Sequence, residues 1–150
     1  MSARVIEVVA AVVRDPVGRM LLVRKRGTAA FMQPGGKREP DEGDVAALMR
    51  EIDEELGCRV VPESVRPMGQ FEAPAANEPG YKVRAAVYAV EIDGAVVPAA
   101  EIDEIRWLDP REPTDLHLAP LTRDYVLPLA FAGEVECPPR SMARYRTAAM

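Results

Sequence analysis

The sequence predicts a single domain that mixes β-strands with α-helices. Three observations predict it: short β-branched or aliphatic runs separated by turn residues, one well-delimited amphipathic helix in the first half, and a helical stretch near the C-terminus. A chain of 150 residues, 48% of them apolar, suffices for one domain with its own core. That domain is expected over residues 1–134. Residues 135–150 contain Pro138-Pro139, three arginines and no acid after Cys137, and read as a poorly ordered tail.

Val5 to Val13 and Met20 to Val23 read as strands, and Asp15-Pro16-Val17-Gly18 between them supplies turn chemistry, so a hairpin is expected. Arg24-Lys25-Arg26 ends the second strand. Three bases at a strand end suit either a solvated edge or contact with an anionic ligand, and Arg24 and Arg26 are carried forward as ligand-binding candidates. Pro34-Gly35-Gly36 is expected to interrupt strand structure and to let a ligand approach the backbone.

A helix is expected from Asp44, as N-cap, to Leu56, stopped by Gly57. At about 100° per residue, Val45, Leu48, Met49, Ile52 and Leu56 share an apolar face. Glu51, Glu54 and Glu55 cluster beside it, and Asp53 points to solvent. This helix violates ordinary rules. Its last turns carry Glu51, Asp53, Glu54 and Glu55, where the helix dipole favours cations, and two like-charge pairs stand at i,i+3 and i,i+4. Repeated local violations within five residues mark a functional site.

Further on, Arg59 to Val61 and Val65 to Phe71 are short strands, 75–80 is a loop, and Tyr81 to Ile92 is a long strand. Asp93-Gly94 turns into Ala95 to Val97, and 101–109 ends in a strand-like segment holding Trp107, read as a core residue. Leu118 to Leu129 suggests a C-terminal helix with Pro120 near its start and Pro128 near its end. His117 before it is a surface residue.

The charge of the chain is local. Of 24 acids and 19 bases, eight acids and three bases fall within Gly36 to Cys58, which leaves sixteen of each elsewhere. No basic excess supports binding to a nucleic-acid backbone. Cys58 and Cys137 are too far apart to suggest a disulfide framework or metal motif, and a reducing, cytoplasmic setting is expected, with Cys58 a small core residue. No segment is suited to span a membrane.

Three carboxylates on one helical face after a Gly-Gly loop suit a hard divalent cation with oxygen ligands, Mg²⁺ first and Mn²⁺ as a substitute. A solvated acidic face is the competing reading. The whole pattern decides between them: Gly36, five residues, Glu42, seven residues, Arg50-Glu51-Ile52, one residue, Glu54-Glu55, one residue, Gly57-Cys58. It resembles, position by position, the 23-residue signature of the Nudix hydrolase family. The preceding strands, the Pro-Gly-Gly-Lys run and the spacing Glu101, Glu104, Trp107 extend the resemblance over most of Val5 to about Leu129.

The resemblance implies an α/β fold, an α/β/α sandwich with a mixed sheet, in which the signature forms a loop, helix and loop. It implies hydrolysis of a nucleoside diphosphate linked to another group. Glu51, Glu54 and Glu55 match the family's metal-binding glutamates, the Gly35 carbonyl commonly adds a ligand, Arg50 orients Glu51, and Glu42 supports the site. Glu54 is the first choice as general base, with Glu101 and Glu104 the candidates outside the signature. Two positions depart from the pattern: Asp41 stands where glycine is frequent, and Cys58 where a larger aliphatic residue is usual.

Lys37 and the compact length resemble members that convert (deoxy)nucleoside triphosphates, including oxidised ones, to monophosphate and pyrophosphate. Pro74, sixteen residues after the signature, resembles the downstream proline of ADP-ribose pyrophosphatases and keeps that substrate as the alternative. Phe31, Phe71 and Tyr81 suit base stacking or, more simply, core packing. A nucleotide-binding domain without catalysis is the rival class, but it would be expected to lack signature glutamates that are all present. A homodimer is compatible with the resemblance.

Overall fold

The computed structural model describes residues 4–132. The expected tail, with Cys137, lies outside the described residues. The strands are β1 (Arg4–Val13), β2 (Met20–Lys25), β3 (Phe31–Met32), β4 (Gly35–Lys37), β5 (Arg59–Val60), β6 (Arg66–Pro74), β7 (Tyr81–Val90), β8 (Ile92–Asp93) and β9 (Ile102–Leu108). The helices are α1 (Asp44–Leu56) and α2 (Leu127–Ala132), the latter continuing a wide π-type turn at Thr122–Val126.

β1 lies at the heart of a mixed four-stranded sheet ordered β4-β1-β7-β6, parallel to β7 and antiparallel to β4, with β6 antiparallel to β7. β2 belongs to a three-stranded antiparallel sheet ordered β3-β2-β9, and β5 pairs with β8. The expected hairpin between β1 and β2 therefore does not form. Its turn is present: the Asp15 carboxylate accepts from the N–H groups of Val17 and Arg19 at 3.1 and 2.8 Å and pairs with the Arg19 side chain. The strands then meet only at the bridge Arg14↔Met20. The reason is competition, since all ten residues of β1 pair with β7 along one edge and Val8 to Ala10 pair with β4 along the other.

Val9 to Val13 of β1 and Met20 to Val23 of β2 are instead buried on both faces, which is why these stretches read as unbroken apolar runs. Val9, Ala11 and Val13 of β1, with Leu21 and Val23 of β2, pack with Ala47, Leu48, Ile52 and Leu56 of α1. The alternate residues Ala10, Val12, Met20 and Leu22 pack on the other side with Leu121, Val126 and Ala130 of the C-terminal helical segment. The α/β/α sandwich follows from that alternation, with α1 on one face and the C-terminal segment on the other.

Several local expectations are corrected. Gly35 and Gly36 do not interrupt strand structure but form β4. Asp44 is not a cap: Gly43 holds that position, while the Asp44 carboxylate accepts from the Tyr88 hydroxyl and pairs with Arg38, both at 2.8 Å. Val45 is exposed because it lies at the outer start of α1, ahead of the core-facing turn of Ala47 and Leu48. The strand expected to 92 breaks at Glu91 into β7 and β8. Pro128 sits at the second residue of α2, inside the C-terminal helix; it has no N–H to give the preceding turn, and the wide turn at Thr122–Val126 comes just before it. Gly57 does end α1, at φ 67°, giving its N–H to the Asp53 carbonyl at 2.9 Å.

Candidate active site

The core face of α1 fixes how its acids are displayed. With Leu48, Ile52 and Leu56 anchored in the core, Glu55 is carried inward and is 2% exposed, Glu51 sits at the margin and Glu54 turns outward. Asp53 is exposed, as expected.

Arg50 organises this end of the helix. Its guanidinium donates to both oxygens of Glu42 at 2.9 and 2.8 Å and to the Lys37 carbonyl at 3.0 Å. It also reaches Glu51 at 3.3 Å and Glu54 at 3.4 Å. One planar fork thus ties the loop before α1, strand β4 and two carboxylates together, which a lysine could not do. The bond from Arg50, aided by the Glu39 N–H, holds the Glu42 carboxyl down at about 2, so it stays ionised. Asp41 in the same loop has φ 65°, the left-handed region, which explains why this position suits glycine.

The two glycines of β4 make room for the acids. A side chain on Gly36 would collide with the Glu51 carboxylate, its Cβ falling 2.4 Å from Oε2. Gly35, at φ 148°, lies so close to β1 that a Cβ would fall 2.1 Å from the Val9 carbonyl oxygen. Its N–H donates to Glu55 Oε1 at 3.1 Å. Burial pushes the Glu55 carboxyl up to about 8 against that hydrogen bond, and the nearby Glu51 charge adds to the rise. Glu51 is also raised by burial, with Arg50 opposing.

Beside these residues opens a cleft of about 400 Å³. Glu51, Gly35, Gly36, Lys37 and Glu101 border it, and so does Lys25, which pairs with Glu101 at 3.5 Å. Arg24, Arg26 and Glu104 do not line it. Arg24 is held by Asp103, Glu104 and the Thr28 carbonyl, Arg26 reaches the Ala100 carbonyl, and Glu104 is shared between Arg24 and Arg106. Of the three bases ending β2, Lys25 is the one brought to the cleft. Strand alternation was the signal for it, because Leu21, Val23 and Lys25 fall on the face that α1 covers. Gln33 and Thr122 also line the cleft and were not singled out in the sequence.

Glu51, Glu54 and Glu55 do not converge as a ready-made trio: among the described residues no three His, Cys, Asp or Glu side chains are grouped to hold an ion. Arg50 draws Glu54 outward. The remaining donors still fit a hard cation in chemistry, since Glu51 and Glu55 are half-buried and buried oxygen donors set against a glycine strand that leaves space. A bound cation would remove the charge penalty that raises both carboxyls.

Fold and site together define an α/β/α sandwich whose acidic helix end adjoins a cleft of about 400 Å³. The family model of the NUDIX domain matches residues 5–129. A CTP pyrophosphohydrolase of Escherichia coli is 32% identical over 123 residues, 78% of this chain and 85% of that protein. An 8-oxo-dGTP diphosphatase of Haemophilus influenzae is 32% identical over 78 residues, 49% of this chain and 57% of that protein, so the match spans little more than half of that relative. The solution structure of the E. coli ORF135 protein superposes with a TM-score of 0.65 at 26% identity, covering 92% of this chain and 96% of that one. The MutT protein of Methanosarcina mazei Go1 shares the fold, with a TM-score of 0.70 at 24% identity over 91% and 97% of the two chains. The chain belongs to the Nudix hydrolase family.

Proposed function

We propose that this hydrolase cleaves (deoxy)nucleoside triphosphates, oxidised ones included, to the monophosphate and pyrophosphate in a Mg²⁺-dependent reaction, with Mn²⁺ as a substitute. The observation that carries this reading is the pairing of Glu51 and Glu55 over Gly35 and Gly36, beside a cleft that also presents Lys25 and Lys37. Two relatives named for nucleoside triphosphate chemistry support the substrate class.

Glu51, Glu55 and the Gly35 carbonyl would hold the ion, and Glu54 would join them only by leaving Arg50. When bound, it supplies positive charge for the phosphate oxygens and makes a water more acidic. The residues do the rest. Arg50 fixes Glu51 and the loop, and Lys25 and Lys37 offset phosphate charge. Glu54 and Glu101 are the candidates for general base. Glu54 is tethered to Arg50 and Glu101 borders the cleft, whereas Glu104 is committed to two arginines.

Pro74, the last residue of β6, borders the cleft and favours the second reading, an ADP-ribose pyrophosphatase. A panel of nucleoside triphosphates, oxidised dNTPs and ADP-ribose, followed by release of pyrophosphate and monophosphate, separates the two. Glu55→Gln is expected to reduce turnover at least about 100-fold while the circular dichroism spectrum is unchanged. A wild type that hydrolyses no member of the panel would overturn the enzymatic reading.

A further inference from the structure

Lys25 is the cation that β2 delivers to the cleft, and it is held differently from its neighbour Arg24. The ladder between β2 and β9 shifts register here, so that Arg24 faces Glu104 whereas Lys25 faces Ile102. Asp103, the residue left over, pairs with Arg24 at 3.0 Å. A bulge of this kind re-aims the side chains beside it. Lys25 is left with Glu101, through one ion pair of 3.5 Å.

Glu101 is fixed from behind. The loop that carries it gives the N–H groups of Val97 and Ala99 to the last two carbonyls of α1, Leu56 and Glu55, each at 2.9 Å. The Glu101 carbonyl accepts from the Arg26 N–H at 2.7 Å, and Ala100 before it has the left-handed φ of 53°. Burial raises the carboxyls of Glu51 and Glu55; the charge of Lys25 opposes the rise at both, and that of Glu101 adds to it at Glu55. One ammonium therefore serves three carboxylates that border or back the same cleft. Lysine suits a place that is to be given up, because it is a point charge on a flexible stem. Arg24, bonded to Asp103, Glu104 and the Thr28 carbonyl, shows the locked alternative one residue away.

We propose that Lys25 is the resident counter-cation of these acids: it holds their place in the ion-free protein and is released toward the substrate's phosphates when a divalent cation takes over their charge. The inference rests on the metal-dependent reading above and adds to it the residue that sets how readily the site loads. Ammonium and divalent ion repel each other, so the two compete for the same carboxylates. Lys25 acts through charge and position alone; it exchanges no proton and breaks no bond.

The test measures Mn²⁺ binding by electron paramagnetic resonance without nucleotide, which needs no turnover. Lys25→Met keeps an apolar stem, and circular dichroism checks that each variant is folded. It is expected to bind Mn²⁺ about 10-fold more tightly than the wild type, the effect of removing a unit charge close to a divalent ion even at the dielectric of water. Lys25→Arg keeps the charge and is expected to bind no more tightly than the wild type. Lys37→Met removes an exposed base at the border of the cleft and is expected to gain less. In the wild type, Mg²⁺ is expected to speed acetylation of Lys25, read by peptide mapping, and to leave Lys37 unchanged. Unchanged or weaker Mn²⁺ binding in Lys25→Met, equal gains in Lys25→Met and Lys37→Met, or labelling of Lys25 that ignores Mg²⁺ would each overturn the assignment. A wild type that binds no Mn²⁺ overturns the metal reading together with this one, whereas binding with no gain in Lys25→Met overturns the role of the lysine alone.

Discussion

Cys58 and Glu55 show burial acting on two acids three residues apart in sequence. Cys58 is 2% exposed, and burial, assisted by the charge of Asp53, pushes its thiol up to about 11. The thiolate is the reactive form, so burial disfavours reaction at this cysteine, which packs in the core beside α1. Alkylation with iodoacetamide at pH 8 followed by peptide mapping is expected to leave Cys58 unmodified in the folded protein and to label it fully in urea. Labelling at the rate of a free thiol would contradict this packing. Glu55, by contrast, is buried with one N–H bond and a neighbouring carboxylate, so its burial leaves a demand for positive charge. The same physical effect silences one residue and prepares the other.

Within the signature, α1 and β4 act as one unit through Arg50. Lysine would keep the charge but not the simultaneous bonds to Glu42, Glu51 and the Lys37 carbonyl. Arg50→Lys is therefore expected to lower activity about 10- to 100-fold, the usual cost of losing a residue that orients ligands. Mg²⁺ titration of activity would separate weaker ion binding from slower turnover, and an unchanged activity would show that the fork is dispensable. The link from Arg50 to Glu42 and Glu51 was legible in the sequence because helical period and the fixed spacing from Gly36 to Cys58 bring them together, but the divergence of Glu54 from Glu51 and Glu55 was not. The partition of β1 and β2 into different sheets was not legible. Each is apolar at nearly every position, so no alternation marks a partner. Arg24 and Lys25 look equivalent as letters, and only the facing of β2 separates the base paired with Asp103 and Glu104 from the one at the cleft. Gln33 carries no periodic signal at all, because its hydrogen-bond partner Thr122 is 89 residues away.

For the whole molecule, the site makes stability depend on pH in a direction that a cation reverses. The Glu55 carboxyl is raised from its ordinary value of 4.5 to about 8, so in the metal-free protein its contribution is present below 4.5 and is lost as pH rises through about 8. Glu42 works the other way. Held at about 2, it contributes stability above 4.5 that disappears only as pH falls toward 2. Between pH 5 and 8 Glu42 is constant, and Glu55 alone of the two should lower stability, by up to about 1.4 kcal/mol per pH unit. In EDTA the melting temperature of the wild type is expected to fall across this window, and Glu55→Gln should flatten the fall. A cation binds the ionised carboxylates and only the folded chain, so millimolar Mg²⁺ should raise the melting temperature most at the alkaline end. Glu51→Gln and Glu55→Gln should each lose most of that rise. A Mg²⁺ effect of equal size at pH 5 and pH 8, or one that survives both substitutions, would place the ion somewhere other than on these two glutamates.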